Sequence, residues 1–167
     1  MKNNTYFEEL ERIGREWQKK HDAHKALKEQ IIEEHGWDSP EMKAWYAEEE
    51  KMTGPFPAGA SKAFRAWKYG ESDELLFEDF VWEREAADFI ETLRKAGLET
   101  FVVTNNSTAL MENIHWFVGM GCKLEGTCVI TRHRRRWGED EEEQLMGLRF
   151  SLLSDRAAPV QRRGGKQ

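Results

Sequence analysis

Eight positions near the start of the chain, most of them apolar, follow one another at alternating spacings of four and three. The positions are Tyr6, Leu10, Ile13, Trp17, Lys20, His24, Leu27 and Ile31. This spacing places them on one face of a helix that packs against a neighbour, so we predict a helix from about Thr5 to His35. Lys20 and His24 are polar, which predicts that the middle of this face is either partly solvated or meets an acidic partner.

A second helix is predicted directly after the first. Gly36 ends the first helix, and residues 38–41 supply a cap with proline at the first helical position. A helix through Met42 and Trp45 would fold back on the first as an antiparallel hairpin. Residues 54–59, Gly-Pro-Phe-Pro-Ala-Gly, then interrupt regular structure and mark the clearest boundary in the chain.

Beyond this boundary, helix-like and strand-like patterns alternate. In chain order they predict a helix at 61–69, a strand at 75–80, a helix at 82–93, a strand at 100–104, a helix at 108–118, and two strands at 124–130 and 146–152. Leu124, Gly126, Cys128 and Ile130 are predicted to share one face of their strand. The strand–helix–strand order predicts a parallel crossover, and the last two strands an antiparallel hairpin.

These elements predict an α+β fold, with an N-terminal helical hairpin and a small mixed β-sheet of three to four strands on which helices pack. The predicted organisation is an acidic helical hairpin over residues 1–53, an α/β domain over 54–158 and a disordered tail over 159–167. The tail prediction follows from Gly164-Gly165 and from the lack of a large aliphatic residue after Val160.

Composition agrees with a folded, soluble chain. Hydrophobic residues make up 39% and charged residues 34%, and nine Phe, seven Trp and three Tyr can fill a core. No run approaches the roughly 20 apolar residues that cross a bilayer, so we expect a cytoplasmic protein without a membrane partner. Cys122 and Cys128 lie too far apart along one predicted strand to bridge, which agrees with a reducing compartment.

Charge is distributed unevenly along the chain. The formal net charge is −6, with acidic residues crowded between residues 8 and 50. Basic residues gather in the C-terminal part, among them Arg132, Arg134, Arg135, Arg136, Arg162 and Arg163. The net charge argues against a general nucleic-acid binder, while the separation predicts two faces of opposite sign. The acidic segment is either a competitor for a basic groove on a partner or a solvated hairpin balanced by its own Lys and Arg.

One candidate ligand site lies where a predicted strand ends and a helix begins. Its residues are Asn105, Asn106, Ser107 and Thr108. Backbone N–H groups and the helix dipole attract anions at such a position. The segment lacks the glycine pattern of a phosphate-binding loop, and Asn and Ser also cap ordinary helices, so a purely structural cap is the alternative.

A basic run is the second candidate. It comprises Arg132, Arg134, Arg135, Arg136 and Trp137. Guanidinium groups and an indole on a strand suit phosphate contacts and base stacking, so the run can bind nucleic acid or a partner. An acidic run over 139–143 follows across the predicted turn, and cross-strand neutralisation is the alternative.

A third candidate is a basic stripe on the helix predicted at 61–69. Lys62, Arg65 and Lys68 supply its charges. With the basic run, the stripe would form one cationic patch, although the sequence leaves open whether the two are adjacent. A solvated helix face is the alternative.

No catalytic constellation, metal motif or cofactor motif is predicted. Glu83, Glu85 and Asp88 surround a helix start, where carboxylates favour the helix dipole. If they converged on a divalent ion instead, the chain would be a small metal-dependent nuclease acting on RNA or DNA with the help of the arginine run. This nuclease is the alternative function.

The stretch FVVTNNSTALMENIHWFVGMGCKLEGTCVITR resembles an uncharacterised domain family of plasmids, conjugative elements and prophages of Gram-positive gut bacteria. The similarity extends upstream through WEREAADFIETLRKAGLET and covers about Phe77 to Arg132. Members of that neighbourhood are similar to anti-CRISPR proteins that disable Cas9-type effectors. The resemblance implies a non-enzymatic accessory protein of a mobile element that binds a protein or ribonucleoprotein partner and inhibits a host defence nuclease. The resemblance assigns no catalytic residue and does not indicate an oligomeric state.

Overall fold

The structure is a computed structural model that describes residues 3–104, 108–136 and 139–152, without the side chains of Arg135 and Arg136. The tail predicted at 159–167 lies outside this description. No helix in the described part of the chain combines the length and apolar character that crossing a membrane requires.

Within these residues the chain forms five helices and one four-stranded sheet. The helices are α1 (Thr5–His35), α2 (Pro40–Glu49), α3 (Ala58–Tyr69), α4 (Glu83–Lys95) and α5 (Leu110–Gly119). The strands are β1 (Leu76–Phe77), β2 (Thr100–Val103), β3 (Lys123–Arg136) and β4 (Glu139–Ser151). The predicted α+β fold is therefore confirmed. The main differences lie at element ends, because β1 is shorter than predicted and β3 and β4 continue through the charged runs.

The sheet has the strand order β1-β2-β4-β3. β1 and β2 are parallel, and α4 connects them as the predicted crossover. β3 and β4 form the predicted antiparallel hairpin, and β4 lies between β2 and β3. Both strands of the hairpin are much longer than β2 and extend past it. β3 forms one outer edge of the sheet because it is the last strand in the order.

A β-bulge changes which side chains of β3 share a face. Leu124 pairs with Phe150 and Gly126 with Arg149, which leaves Glu125 as an extra residue. Gly126 has φ +128°, a conformation that favours glycine. Because cross-strand partners point to the same side, Leu124 faces the side of Phe150, whereas Cys128 and Ile130 face the other. The prediction that all four residues share one face is therefore wrong, since period-two counting does not detect the extra residue.

The main core lies between one face of the sheet and the helices. Its centre is a cluster of five phenylalanines that are each 0–2% exposed: Phe77, Phe89, Phe101, Phe117 and Phe150. The rings are in direct contact, with Phe101 5.2 Å from both Phe117 and Phe150 between centroids. This packing holds α4 and α5 on the sheet.

The opposite face of the sheet carries a smaller apolar cluster of Leu76, Val102 and Ile130. Residues 71–75 lie between α3 and β1, and we name them the strap. The strap runs from the outer edge of β3 to β2. At one end the His133 N–H donates to the Glu71 carbonyl at 2.7 Å, and at the other the Val102 N–H donates to the Leu75 carbonyl at 2.9 Å. The strap thereby brings Glu71 to Arg134 of β3 and Glu74 to Arg149 of β4.

The first two turns of α1 belong to the main core. Phe7 is fully buried and stacks on Trp67 of α3 with 5.0 Å between ring centroids, and Leu10 is 8% exposed. Asn4 caps α1 and also donates from Nδ2 to the Ala96 carbonyl at 2.7 Å. The hairpin predicted for residues 1–53 is thus anchored in the α/β part of the chain and shares its core.

The remainder of α1 packs against α2, and we name this pair of helices the arm. Its contact includes Met42 and Trp45, which are 0% and 7% exposed. His24 lies 3.2 Å from a carboxylate oxygen of Glu49 on α2, and His21 lies 3.7 Å from the other oxygen. An acidic partner at His24 was one of the two alternatives for this part of the α1 face, and Glu49 supplies it.

Candidate functional site

Lys62 points into the protein and does not contribute to an exposed basic stripe. Its Nζ donates to the Phe80 carbonyl and to Glu85 Oε2, both at 2.7 Å, and its side chain is 13% exposed. Burial by itself would raise the pKa of Glu85, but the hydrogen bonds from Lys62 and from the Trp82 amide outweigh it and the pKa is lowered. Lys62 therefore ties α3 to the start of α4.

The other two basic residues of α3 are more exposed but also paired. The Arg65 guanidinium lies 3.8 Å from Asp79, with 59% of its side chain exposed. Lys68 Nζ lies 3.3 Å from Glu11 of α1. Together with the hydrogen bond from Arg15, Lys68 lowers the pKa of Glu11. These pairs reduce the charge that α3 offers to a partner.

Arg132, the first residue of the basic run, is buried. Its side chain is 5% exposed, and its guanidinium binds Glu78 and lies 3.4 Å from Glu143 of β4. Arg134 is half-buried between Glu71 of the strap at 3.4 Å and Glu143 at 3.6 Å. Neither guanidinium is free to form the exposed surface predicted from the sequence.

Basic positions also face acidic ones in the rest of the hairpin. Residues 132–136 stand opposite residues 143–139 of β4, so each basic position faces an acidic one. This register is the cross-strand arrangement that the sequence offered as the alternative to a binding surface. The side chains of Arg135, Arg136 and Trp137 lie outside the described residues.

Arg149 extends this set of ion pairs and was not singled out from the sequence. Its guanidinium makes two hydrogen bonds to Glu74 of the strap, at 2.5 and 3.0 Å. The hydrogen bonds to Glu74 raise the pKa of Arg149. No local signal could have revealed the pair, because the two residues are 75 positions apart.

The two predicted basic elements are linked through acidic residues that follow β1. Lys62 and Arg65 line one side of a cleft of about 230 Å³, and residues 76–79 line the other. Glu78 and Asp79 carry the charges between them, since Asp79 pairs with Arg65 and Glu78 binds Arg132. The patch is thus a mixed ionic network and not a continuous cationic surface.

The predicted ligand loop is described in part. Thr108 is exposed, whereas Asn105, Asn106 and Ser107 lie outside the described residues. Next to it, Asn113 is 1% exposed, donates from Nδ2 to the Val81 carbonyl at 2.9 Å and accepts from the Val81 N–H at 3.1 Å. Asn113 fixes α5 against the segment before α4. A lone amide among the apolar residues of α5 was its only sequence signal.

The carboxylates at the start of α4 do not converge. Glu83 is exposed, Asp88 is half-buried, and Glu85 is engaged with Lys62 and the Trp82 amide. In the described part of the chain, no three His, Cys, Asp or Glu side chains are arranged to hold a metal ion. The described geometry therefore gives no support to the metal-dependent nuclease.

Both cysteines are free thiols. Cys122 precedes β3 and is buried, and burial raises its pKa to about 11. Burial also raises the pKa of Cys128. Both groups are therefore protonated near neutral pH and lack the thiolate that nucleophilic chemistry requires.

The largest exposed aromatic groups of the arm lie at its far end. Trp37, in the turn between α1 and α2, is 60% exposed, and Tyr46 on α2 is 44% exposed. Lys28 Nζ lies 5.6 Å from the Trp37 ring, 4.9 Å from the Trp45 ring and 5.3 Å from the Tyr46 ring. We name Trp37, Trp45 and Tyr46 the arm-tip cluster. The sequence placed Trp45 and Tyr46 on one helix but gave no reason to join them to Trp37.

Exposed carboxylates accompany the arm-tip cluster. They are Glu33, Glu34, Asp38 and Glu41, which occupy the last turn of α1, the turn itself and the first turn of α2. An exposed aromatic centre with charged residues around it has the composition of a protein-binding surface. The acidic character of this end favours a basic partner.

Removing the carboxylates around Arg132 is expected to destabilise the protein. In the Glu78→Gln/Glu143→Gln variant the buried guanidinium loses two charged partners, and we expect the free energy of unfolding to fall by about 1–3 kcal/mol. Urea unfolding followed by circular dichroism measures the change. Glu29→Gln, an exposed mid-helix change on α1, is the matched control and should unfold like the parent. Equal stability of the double variant and the parent would contradict the structural role of Arg132.

The fold and its surfaces define an α+β protein with a projecting acidic helical arm and a β-hairpin in which Arg132, Arg134 and Arg149 pair with carboxylates of the same chain. The chain belongs to the DUF7698 family, a domain of unknown function whose model matches residues 60–152, more than half of the chain. The match begins within α3 and ends after β4, so the whole arm lies outside it. No curated protein and no solved structure matches the chain.

Proposed function

We propose that the chain is a non-enzymatic accessory protein that acts in the cytoplasm and binds a basic surface on a protein or ribonucleoprotein partner through its arm. The observation that carries the proposal is the arm-tip cluster, in which Trp37 and Tyr46 are exposed on buried Trp45 and carboxylates flank the rings. The resemblance to mobile-element proteins extends the proposal to inhibition of a host defence nuclease of the Cas9 type.

The anchoring of the arm supports this role. α1 has 31 residues, which corresponds to roughly 45 Å at 1.5 Å per residue. Its buried residues, Phe7 and Leu10, are both in the first two turns. One end of the arm is thus fixed in the core while the arm-tip cluster lies far from it. Such a rigid projection can reach into a groove without a large loss of conformational entropy.

The charge distribution supports the choice of a basic partner. The arm contains more acidic than basic residues and holds its far carboxylates in the exposed positions around Trp37. A guide RNA–binding effector presents positively charged channels to nucleic acid. A negatively charged helical arm with exposed aromatic rings would occupy such a channel and exclude the nucleic acid.

The pairing of the basic residues also favours a basic partner over a nucleic acid. A nucleic-acid binder needs free Lys and Arg to neutralise phosphates. Here Lys62, Arg132 and Arg134 contact carboxylates of the same chain. These three basic residues therefore offer little charge to the phosphates of a nucleic acid.

A direct binding measurement tests the proposal. Immobilised full-length chain is titrated with a purified Cas9-type effector loaded with guide RNA, and cleavage of target DNA is followed in parallel. We expect binding that weakens as salt rises, together with inhibition of cleavage. Trp37→Ala/Tyr46→Ala should weaken binding at least tenfold, because exposed aromatic anchors carry much of an interface energy.

Matched variants separate the arm from the rest of the surface. Tyr69→Ala removes an aromatic ring that is 69% exposed on α3 and should bind like the parent. Glu33→Lys/Glu34→Lys should weaken binding and reduce its salt dependence, whereas Glu112→Lys/Glu125→Lys, on exposed positions outside the arm, should not. If the parent neither binds nor inhibits the effector, or if the arm variants bind as well as the parent, the proposal fails.

A further inference from the structure

The outer edge of β3 contains a stretch of unpaired backbone. β3 is at one side of the sheet, and the His133 N–H donates outward to the Glu71 carbonyl of the strap at 2.7 Å. The direction of the N–H and C=O groups alternates along an antiparallel strand. The backbone groups of Thr127, Val129 and Thr131 therefore also point outward. Among the described residues, none of these groups has a backbone partner beyond the edge.

Both ends of this stretch are blocked. The bulge at Glu125 disrupts pairing four residues before Val129, and the strap occupies the edge at His133 four residues after it. The free stretch is thus symmetric about Val129. Its sequence over 127–131, Thr-Cys-Val-Ile-Thr, contains no charge and no proline, the residues that usually protect an exposed edge strand.

We propose that this stretch pairs with the same stretch of a second copy of the chain, antiparallel and centred on Val129, so that the two four-stranded sheets become one across a two-fold axis. Val129 would exchange two hydrogen bonds with Val129 of the other copy. Thr127 would stand opposite Thr131, which makes the edge complementary to itself, as a two-fold interface requires.

The exposed side chains agree with a second copy as the occupant. Val129 is 61% exposed and stands directly opposite Met146, which is 76% exposed. Across the two-fold axis, Met146, Val129 and their counterparts would form one apolar strip on the same face of the joined sheet. Because residues 127–131 are uncharged, self-pairing brings no like charges together within the stretch.

The oligomeric state tests the proposal. Sedimentation velocity of the full chain from about 1 to 200 µM should show a concentration-dependent dimer. Val129→Lys places a charge at the axis and should weaken self-association at least tenfold. Met111→Lys, at a residue that is 72% exposed on α5, is the matched control and should dimerise like the parent. A parent that stays monomeric throughout, or a Val129→Lys variant that dimerises as tightly as the parent, overturns the proposal.

Crosslinking provides a measurement that does not depend on disrupting the strand. In a Cys122→Ser/Cys128→Ser background, Val129→Cys should form a covalent dimer under mild oxidation, because paired residues across this axis lie about 5.5 Å apart between Cα atoms. Met111→Cys in the same background should not. Equal crosslinking of the two variants overturns the proposal. Trp37→Ala/Tyr46→Ala should leave dimerisation unchanged, so failure here is distinct from failure of the partner-binding proposal.

Discussion

Phe101→Ala is expected to lower the free energy of unfolding by about 3–5 kcal/mol, the loss that accompanies removal of a large ring from a packed core. Phe101 is fully buried in β2. Its ring centroid lies 5.9 Å from that of Phe89 and 5.2 Å from those of Phe117 and Phe150. The change would remove contacts to both helices and to the neighbouring strand at once. Chemical unfolding followed by circular dichroism measures the effect.

A loss of this size is comparable to the whole stability of many domains, so Phe101→Ala could fail to fold. A milder substitution at the same position keeps the prediction measurable. Phe101→Leu keeps most of the volume and should lose only about 1–2 kcal/mol. Met111→Ala truncates a side chain that is 72% exposed and should change stability by no more than about 0.5 kcal/mol. If Phe101→Ala were as stable as Met111→Ala, the phenylalanine cluster would not be the centre of the core.

Gly59→Ala is expected to destabilise the protein by about 3 kcal/mol, at the upper end of typical overpacking costs. Gly59 lies in the first turn of α3, where a Cβ would approach the Glu85 carbonyl oxygen to 2.0 Å and the Phe89 nitrogen to 2.7 Å. Both are backbone atoms of α4 and cannot move like a flexible side chain. The helices would have to separate, which would also disturb the pair formed by Lys62 and Glu85. Thermal and chemical unfolding both report the change.

Gly119→Ala is the matched control for this prediction. Gly119 is the last residue of α5, and a Cβ there meets nothing within 4 Å. Alanine has the higher helix propensity, so this variant should be as stable as the parent or up to about 1 kcal/mol more stable. Equal effects of the two substitutions would show that α3 and α4 do not approach as closely as described.

The close contact of α3 and α4 also bears on the proposed function. α3 holds Phe7 of α1 through Trp67, and α4 holds the phenylalanine cluster through Phe89. The arm is therefore connected to the sheet through two helices in direct backbone contact. We expect variants that separate these helices to weaken partner binding as well, because the arm would lose its fixed direction.

Much of the fold could be predicted because it depends on local features. The period of apolar residues indicated α1 and α4, the Ser39-Pro40 cap indicated the start of α2, and the centre of β2 was recognisable from its aromatic and β-branched residues. Helical period, capping and strand propensity act over a few residues, so a single sequence contains them. Their order was sufficient to predict the crossover and the hairpin.

The candidate binding surface could not be predicted in the same way, because its charges depend on residues that are distant in the sequence. Arg132 meets Glu78 across 54 positions, and Arg149 meets Glu74 across 75. From the sequence, a run of arginines indicates an exposed basic strand. The strap and the residues that follow β1 reverse this interpretation by bringing Glu71, Glu74 and Glu78 to the arginines, and each ion pair then reduces the charge offered to a partner.

The sequence by itself therefore determined the helices, most of the strands, their order and the acidic character of the arm, because period, caps and composition are local properties of the chain. Tertiary structure alone decided which charges remain exposed, which face of β3 is buried and which edge of the sheet is open. These properties depend on the path of the strap, on one extra residue at Glu125 and on the position of β4 between β2 and β3. Each is a consequence of packing between distant segments, which no local pattern encodes.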